Sequence, residues 1–326
     1  MRREKFEYYR DGLLAGDRNV LSKSISIIES QSEEDHQLAM RILSSLPAQE
    51  SIRIGISGAP GVGKSTFIEA FGQTLIEDKH KLAVLAIDPS SPFGGGSILG
   101  DKTRMSELSR LKDVYIRPSA SLNHVGGTGA KTYQTMLLCE AAGFDRIIIE
   151  TVGVGQTEAV ARQMVDFFLL LAQPASGDEL QGIKKGIMEH VDGIVVNKAD
   201  NNLIKEAKRT QMELREALHY LSTEESPKVL TCSSTEGAGM KEIKEWILDF
   251  CGERKENGGF AQRRKEQSEA VLVGLMQNSL MKFISSQQPV KDQQSLKLNE
   301  LKANKLNLIQ ALDQFERWLQ NQSLSD

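Results

Sequence analysis

The chain has 326 residues, of which 40% are hydrophobic and 26% charged, a globular composition large enough for one α/β core with helical additions or for two small domains. Its formal net charge of −4 supplies no broad attraction to phosphate backbones or anionic lipids, so nucleic acids and membrane surfaces are poor candidate partners. The N-terminal segment turns acidic at once and no run of about 18 apolar residues occurs, which argues against a signal peptide or a membrane span.

The first 50 residues carry the apolar spacing of helices. Leu21, Ile25 and Ile28 recur at three- and four-residue steps, and a second series of this kind ends before Pro47. The sequence therefore predicts a helical extension over residues 1–50, ahead of the first strand.

From residue 51 to residue 257, short β-branched or apolar runs alternate with segments of helix length. This alternation predicts an α/β domain with a mostly parallel sheet and helices on both faces. The predicted strands are Ile52–Ser57, Leu82–Asp88, Val114–Pro118, Arg146–Glu150, Phe167–Ala172, Gly193–Asn197 and Val229–Cys232.

A charged stretch that ends at Gly258 and Gly259 marks a boundary, and only helical patterns follow it over residues 258–326. Near the C-terminus, a leucine-rich series at three- and four-residue steps predicts a helical seam. The seam must pack either on this chain's own globular domain or on a second copy as a dimer arm, and both remain open because short heptads are weakly diagnostic. Its members are Leu298, Leu301, Lys305, Leu308, Leu312, Phe315 and Leu319.

The three cysteines, Cys139, Cys232 and Cys251, are far apart, lack CxxC spacing and lie in apolar stretches. Such cysteines are typical of buried thiols in a reducing compartment. We therefore expect a cytoplasmic protein without disulfides.

A phosphate-binding loop follows the first predicted strand. The residues from Gly58 to Ser65 read G-x-x-x-x-G-K-S and lead into a helical pattern, which is the strand–loop–helix context that this motif requires. Glycines let backbone N–H groups converge on phosphate oxygens, Lys64 bridges the β- and γ-phosphates, and the Ser65 hydroxyl coordinates Mg²⁺. The predicted contacts are Gly58, Gly61, Val62, Gly63, Lys64, Ser65 and Thr66.

A guanine-reading motif, N-K-x-D, occupies residues 197–200 at the end of a predicted strand, where open α/β sheets bind ligands. The Asp200 carboxylate accepts hydrogen bonds from the ring N–H and the exocyclic amine of guanine together, whereas adenine would leave it unpaired. We assign Asn197, Lys198 and Asp200 to nucleotide binding. Ser233 and Ser234 follow the next strand and either offer backbone donors to the guanine carbonyl or form an ordinary turn.

Hydrolytic elements follow the predicted strand that ends at Glu150. An acid at a strand end with Gly153 three residues later is typical of a Walker-B and switch element, in which the carboxylate holds Mg²⁺ and the glycine N–H senses the γ-phosphate. Gln156 and Glu158 come just beyond. Either side chain could orient the attacking water, or both are ordinary residues at a helix start.

Two further loops follow strands of the predicted sheet. In the first, rich in glycine and proline, Asp88 and Asp101 are candidate magnesium ligands and Thr103 and Arg104 are candidate phosphate contacts. The second, residues 173–186, pairs acids with lysines, a mixture for which a solvated surface loop is the default interpretation.

Taken together, five segments closely resemble the MeaB/ArgK family of GTPases, chaperones of methylmalonyl-CoA mutase and related adenosylcobalamin-dependent acyl-CoA mutases. The resemblance extends over about residues 10–255. It implies a SIMIBI-type P-loop G domain whose GTP cycle gates the delivery of adenosylcobalamin to the mutase and protects the holoenzyme. The five segments are residues 58–65, 88–105, 150–156, 177–185 and 197–200.

The resemblance also implies roles for individual residues. Asp88, Asp101 and Glu150 fall on metal-site and switch positions, and Asp178 and Lys185 lie in the third switch loop of the family. Members of the family are homodimers that use helical extensions, which favours a dimerisation arm for residues 258–326. Residues 121–131 depart from the family pattern, since a more arginine-rich loop is expected there. The candidate catalytic residues are Lys64, Asp101, Glu150, Gln156 and Glu158.

Three functions compete. The first is a Mg²⁺-dependent GTPase that acts as a chaperone of an acyl-CoA mutase. Its unaided hydrolysis is expected to be slow, because the sequence offers no assured arginine finger. The second is a P-loop metabolite kinase of the arginine/ornithine transport type, which base preference would distinguish. The third is a nickel-insertion GTPase, which would require the histidines to cluster, whereas the five present are scattered. No D-x-H-x-x-G motif occurs, so any cobalamin would be held mainly by the partner.

Overall fold

The computed structural model describes residues 3–30, 32–77, 79–87, 105–117, 128–151, 156–174, 191–221 and 227–321. The chain divides into two compact units, Met1–Val271 and Leu272–Asp326. The sequence-based domain boundaries after residues 50 and 257 stay predictions.

Seven strands among the described residues form a single sheet in which every pairing is parallel. The strands are β1 (Ile52–Gly58), β2 (Leu82–Ile87), β3 (Val114–Arg117), β4 (Arg146–Thr151), β5 (Phe167–Ala172), β6 (Gly193–Val196) and β7 (Lys228–Thr231). Their order is β3-β2-β4-β1-β5-β6-β7, with β1 at the centre. The predicted α/β class is confirmed, and each predicted strand is present to within a residue at either end.

Eleven α-helices accompany the sheet in the described part of the chain. They are α1 (Phe6–Leu14), α2 (Arg18–Glu29), α3 (Glu33–Ser45), α4 (Lys64–Ile76), α5 (Thr128–Ala141), α6 (Gln156–Arg162), α7 (Ile204–Leu221), α8 (Met240–Glu256), α9 (Gly259–Ser286), α10 (Gln288–Lys302) and α11 (Leu308–Asn321). Helices α1 to α3 confirm that the N-terminal segment is helical. Short 3-10 turns precede β3 and α7.

Two apolar layers cover the faces of the sheet. In β5, Phe168 and Leu170 belong to one layer, whereas Phe167 and Leu169 belong to the other, because successive side chains of a strand point to opposite faces. The first layer includes apolar residues of α1, α2 and α3, and the second includes those of α4 and α8. Strands buried on both faces read as uninterrupted apolar runs, which is why the sequence revealed them.

A buried acid, Asp192, lies directly before β6 and binds two arginines from different helices. Its side chain is 5% exposed. Arg162, at the end of α6, donates to both carboxylate oxygens at 2.8 and 3.3 Å, and Arg263 of α9 donates to both at 3.1 and 2.8 Å. The backbone N–H of Phe168 adds a bond of 2.8 Å. Asp192 therefore joins α6, β5 and α9.

Arg264, the next residue of α9, makes a second anchor. It donates to both oxygens of the buried Asp166 at 2.9 and 2.8 Å, and Asp166 also accepts the backbone N–H of Arg53 in β1 at 2.8 Å. Two consecutive arginines thus fix the first turns of α9 to the base of the sheet. This attachment explains why the larger unit extends as far as Val271.

The second unit contains the end of α9 together with α10 and α11. The predicted leucine seam is wrong as a single helical face, because the chain leaves α10 at Lys302 and enters α11 at Leu308, with Asn304 at a φ of +53° between them. Asparagine tolerates this left-handed conformation better than most residues. Spacing alone carries no signal for such a turn, so the apolar steps continued across it.

The sequence predicts buried cysteine thiols and no membrane-spanning helix. Cys139, Cys232 and Cys251 are free and buried. Across the described ranges, no helix combines the length and the apolar character that crossing a bilayer requires.

Replacing Asp192 with alanine should destabilise the larger unit strongly. The change leaves Arg162 and Arg263 without their shared acceptor, and loss of one partner from a buried ion pair costs about 3–5 kcal/mol. Urea unfolding would measure the difference in free energy. Glu107→Ala removes the exposed pair with Arg110 and serves as the control, with an expected loss of no more than about 0.5 kcal/mol. Similar losses in the two variants would contradict the assignment.

Candidate nucleotide-binding site

The phosphate-binding loop has the backbone geometry that its sequence predicts. Strand β1 ends at Gly58 and α4 begins at Lys64, so the loop connects a central strand to a helix N-terminus. Gly61 and Gly63 have φ values of +81° and +93°, which residues with a Cβ adopt only with strain. The loop thus has the form of a phosphate cradle at a helix N-terminus.

The guanine motif is hydrogen-bonded to this loop. The side-chain Nδ2 of Asn197, which follows β6, donates to the carbonyl oxygen of Val62 at 3.0 Å, and Lys198 Nζ donates to that of Gly61 at 2.6 Å. A Cβ at Gly63 would lie 2.8 Å from Asn197 Nδ2. Position 63 therefore requires glycine for two reasons: its positive φ, and the lack of space for a Cβ beside Asn197.

Lys64 lies against the loop and close to two acids. Its ammonium donates to the carbonyl oxygens of Gly58 and Ala59 at 2.6 and 3.3 Å. Burial lowers the pKa of Lys64, while the charges of Glu150 and Glu158 act in the opposite direction. The ammonium is thus placed where phosphate oxygens can replace the carbonyl acceptors.

The two acids flank the end of β1. Glu150, 5% exposed, lies in β4 opposite Ile56 in the register, and Glu158 on α6 accepts a hydrogen bond of 3.2 Å from the Ser57 hydroxyl. The structure therefore gathers Lys64, Glu150 and Glu158 at one edge of the sheet. Gln156 opens α6, and only its backbone is described.

Oxygen donors suited to Mg²⁺ occur at the same edge. Ser65 lies in the first turn of α4, and Glu150 is the next-to-last residue of β4. For the buried hydroxyl of Thr151, the last residue of β4, no hydrogen-bond partner occurs among the residues that the structure describes. Hydroxyl and carboxylate oxygens are the ligands that Mg²⁺ prefers, with phosphate oxygens completing its shell, so these residues fit the ion. Seven predicted site residues lie outside the described residues: Asp88, Asp101, Thr103, Arg104, Gly153, Asp178 and Lys185.

No group of three or more His, Cys, Asp or Glu side chains that could hold a metal occurs among the residues that the structure describes.

The segment after β7 holds the side chains of the guanine motif. Asn197 Oδ1 accepts hydrogen bonds from the Ser234 hydroxyl at 2.6 Å and the Ser234 backbone N–H at 3.2 Å. Asp200 Oδ2 accepts from the Ser233 hydroxyl at 2.6 Å. The backbone N–H of Ser233 donates to Ala238 at 3.0 Å. Both serine amides therefore have protein acceptors, and the two serines support the site through their hydroxyl groups.

Three contributors to this arrangement were missed in the sequence. Cys232 Sγ lies 3.4 Å from Asn197 Oδ1, Gln173 Oε1 accepts from Lys198 Nζ at 3.1 Å, and the Thr235 hydroxyl donates to Asp200 at 3.0 Å. Gln173 directly follows β5, and Cys232 and Thr235 border the predicted serine pair, so their positions at strand ends were a usable signal. Thr66, in contrast, is exposed on α4.

Comparison with known families gives a match over most of the chain. The family model described as methylmalonyl Co-A mutase-associated GTPase MeaB matches residues 21–289.

Individual proteins agree with that match. A putative GTPase of Caulobacter vibrioides is 49% identical over 274 residues, covering 82% of this chain and 83% of the relative. The methylmalonic aciduria type A homolog, mitochondrial, of Mus musculus is 42% identical over 297 residues, covering 86% and 72%. A crystal structure described as LAO/AO transport system kinase superposes with a TM-score of 0.74 at 32% identity, covering 98% of this chain and 99% of that one.

Gly63→Ala should impair nucleotide binding more than Gly61→Ala does. Both residues have a positive φ, so each substitution costs about 1–2 kcal/mol of backbone strain, but only the Cβ at position 63 meets Asn197. Since the backbone around Gly61 leaves open space for a Cβ, that variant is the matched control. Calorimetric titration with GDP and Mg²⁺ measures the two affinities. Equal losses would show that the contact with Asn197 does not constrain the loop.

Proposed function

The chain belongs to the family of methylmalonyl Co-A mutase-associated GTPases, MeaB, and on that premise we propose that it is a chaperone of an adenosylcobalamin-dependent acyl-CoA mutase. The protein is a P-loop GTPase. In the proposed role, its GTP cycle gates the loading of adenosylcobalamin into a mutase of the methylmalonyl-CoA type and protects the loaded enzyme.

The observation that carries this proposal is the direct bonding between the base-reading motif and the phosphate loop. Asn197 and Lys198 both donate to carbonyl oxygens of the loop. A nucleotide whose guanine base donates to Asp200 would place its phosphates at a loop that Asn197 and Lys198 already hold in position. This linkage supports recognition of guanosine nucleotides as whole molecules, which a nucleotide-controlled chaperone needs.

The described residues divide the proposed chemistry between them. Lys64 leaves the carbonyls of Gly58 and Ala59 to bind the β- and γ-phosphates, and the loop N–H groups hold the remaining oxygens. Ser65 and Glu150 would hold Mg²⁺, which when bound neutralises charge on the phosphates. Asp88 and Asp101 are proposed, from the family resemblance, to complete the metal shell.

Hydrolysis requires that a water be aligned with the γ-phosphate. Glu158 is held at the end of β1 by its hydrogen bond from Ser57, beside Lys64, and is the described side chain best placed for this task. Gln156 remains the alternative. No arginine finger was identified in the sequence, so we propose slow turnover unless a partner completes the site, with Gly153, Asp178 and Lys185 in the switch segments that report the nucleotide state.

The partner assignment rests on the relatives. The matching family model names a mutase-associated GTPase, and the mouse relative is named for methylmalonic aciduria. We propose that the same kind of mutase is the partner here, in the cytoplasm, a location supported by three free buried cysteines.

A homodimer through the C-terminal helices is part of the proposal. Leu308, Ile309 and Leu312 of α11 are exposed in the second unit, as are Leu296 and Leu298 of α10. Exposed large apolar side chains of this kind favour an interaction surface, and we propose that a second copy covers them.

A metabolite kinase is the second candidate, because a solved structure of 32% identity is described as LAO/AO transport system kinase. For both the chaperone GTPase and the kinase, the base-reading motif favours guanine. The two functions differ in whether the γ-phosphoryl group is transferred to water or to a basic metabolite. A phosphorylated amino acid formed from labelled GTP would favour the kinase.

Asp200→Asn should reverse the base preference. The amide donates where the carboxylate accepted, which suits the extra carbonyl of xanthine and removes the match with guanine. We expect at least about tenfold weaker binding of GTP and improved binding of xanthosine triphosphate, measured by competition with a fluorescent nucleotide. Lys64→Ala is the control, since it should weaken all triphosphates alike. An unchanged preference in Asp200→Asn would remove Asp200 from the site.

Addition of a methylmalonyl-CoA mutase should raise GTP turnover. We propose that the partner supplies or orders a group equivalent to an arginine finger, which is worth about 10³-fold or more in GTPases of known mechanism. Phosphate release is measured with and without the mutase, and Lys64→Ala protein with the mutase controls for contaminating GTPases. A mutase that changes neither the turnover nor the nucleotide affinity contradicts the chaperone role.

A further inference from the structure

The four residues from Cys232 to Thr235 alternate in what they hold. Cys232 and Ser234 contact Asn197, whereas Ser233 and Thr235 both donate to Asp200. Residues 234–237 form a turn, which an isolated bridge between Ser233 and Ala238 closes. One pair of side chains in the segment therefore contacts Asn197, which bonds the phosphate loop. The other pair contacts Asp200, the proposed base-reading residue.

Asp200 is held at both oxygens. Oδ2 accepts from the Ser233 hydroxyl at 2.6 Å and from the Thr235 hydroxyl at 3.0 Å, and Oδ1 accepts from Asn201 Nδ2 at 3.3 Å. The hydroxyl of Ser233 holds the pKa of Asp200 below its ordinary range, and Thr235, Asn201 and Lys198 act in the same direction. The carboxylate is therefore ionised at neutral pH and accepts hydrogen bonds only.

The orientation of this carboxylate matters for the base. The second side-chain torsion of aspartate is broad, so a carboxylate with one partner turns readily about it. Guanine presents two parallel donors, the ring N–H and the 2-amino group, and both oxygens must lie in the plane of the base to accept them. Hypoxanthine presents the ring N–H alone and tolerates a turned carboxylate better.

We infer that Thr235 is a positioning residue that, together with Ser233, fixes the plane of the Asp200 carboxylate and so sets the preference for bases that carry a 2-amino group. This inference rests on the proposed guanine site. Among the residues that the structure describes, the Thr235 hydroxyl bonds Asp200 and lies 3.1 Å from the Ser233 hydroxyl. Thr235 itself is exposed, so its replacement leaves the core unchanged.

Thr235→Val tests the inference, because it keeps the shape of the side chain and removes the hydroxyl. Dissociation constants for GDP and inosine diphosphate, with Mg²⁺ present, give the ratio that reports on the 2-amino group. We expect the preference for GDP to fall about fivefold in this variant, mainly through weaker GDP binding, and Thr235→Ser to stay within about twofold of the parent protein.

Three results would overturn the inference: an unchanged ratio in Thr235→Val, an equal loss for both nucleotides, or tighter GDP binding, which would mean that the hydroxyl competes with the base. In an Asp200→Ala background, the further change Thr235→Val should leave both affinities unaltered, and any additional loss counts against a role through Asp200. The proposed guanine site fails separately, if the parent protein itself shows no preference for GDP over inosine diphosphate.

Discussion

The side-chain amide of Asn197 is the connection on which the site depends. Its nitrogen donates to Val62 in the phosphate loop, and its oxygen accepts from Ser234 after β7. Because β5 lies between β1 and β6 in the sheet, the carboxyl ends of these strands need a side chain to link them. The amide makes that link and is almost fully buried. The amide also explains why position 63 requires glycine, since a Cβ there would lie 2.8 Å from the amide nitrogen.

A second chain of contacts leads from the site to the base of α9. Helix α6 carries Glu158, bonded to Ser57 at the end of β1, and Arg162 one turn later, bonded to Asp192. Asp192 in turn accepts from Arg263. Any displacement of α6 must therefore be accommodated either at Ser57 or at the buried Asp192. These bonds connect α6 to the first turns of α9 through one buried carboxylate.

How much could be predicted from sequence depended on whether the signal was local. The seven strands were found because each is an apolar run between turn residues, and Lys64 and Asp200 because their motifs are contiguous. The pairing of Asp192 with Arg263 was not found, since 71 residues separate them and charged residues are ordinarily solvated. Thr235 had no motif of its own. The turn at Asn304 was missed because the three- and four-residue steps continued through it.

Two lysines show how the site balances its charges. Lys64 and Lys198 donate to carbonyl oxygens of Gly58, Ala59 and Gly61, which are neutral acceptors. A phosphate oxygen is charged and makes a stronger hydrogen bond with an ammonium group, so the phosphates can displace the carbonyls from Lys64. Lys198 has a second acceptor, Gln173 Oε1, at 3.1 Å. In the proposed site, phosphate binding would therefore supply affinity by exchanging acceptors at Lys64, while discrimination between bases would fall to Asp200 and the hydroxyls that orient it.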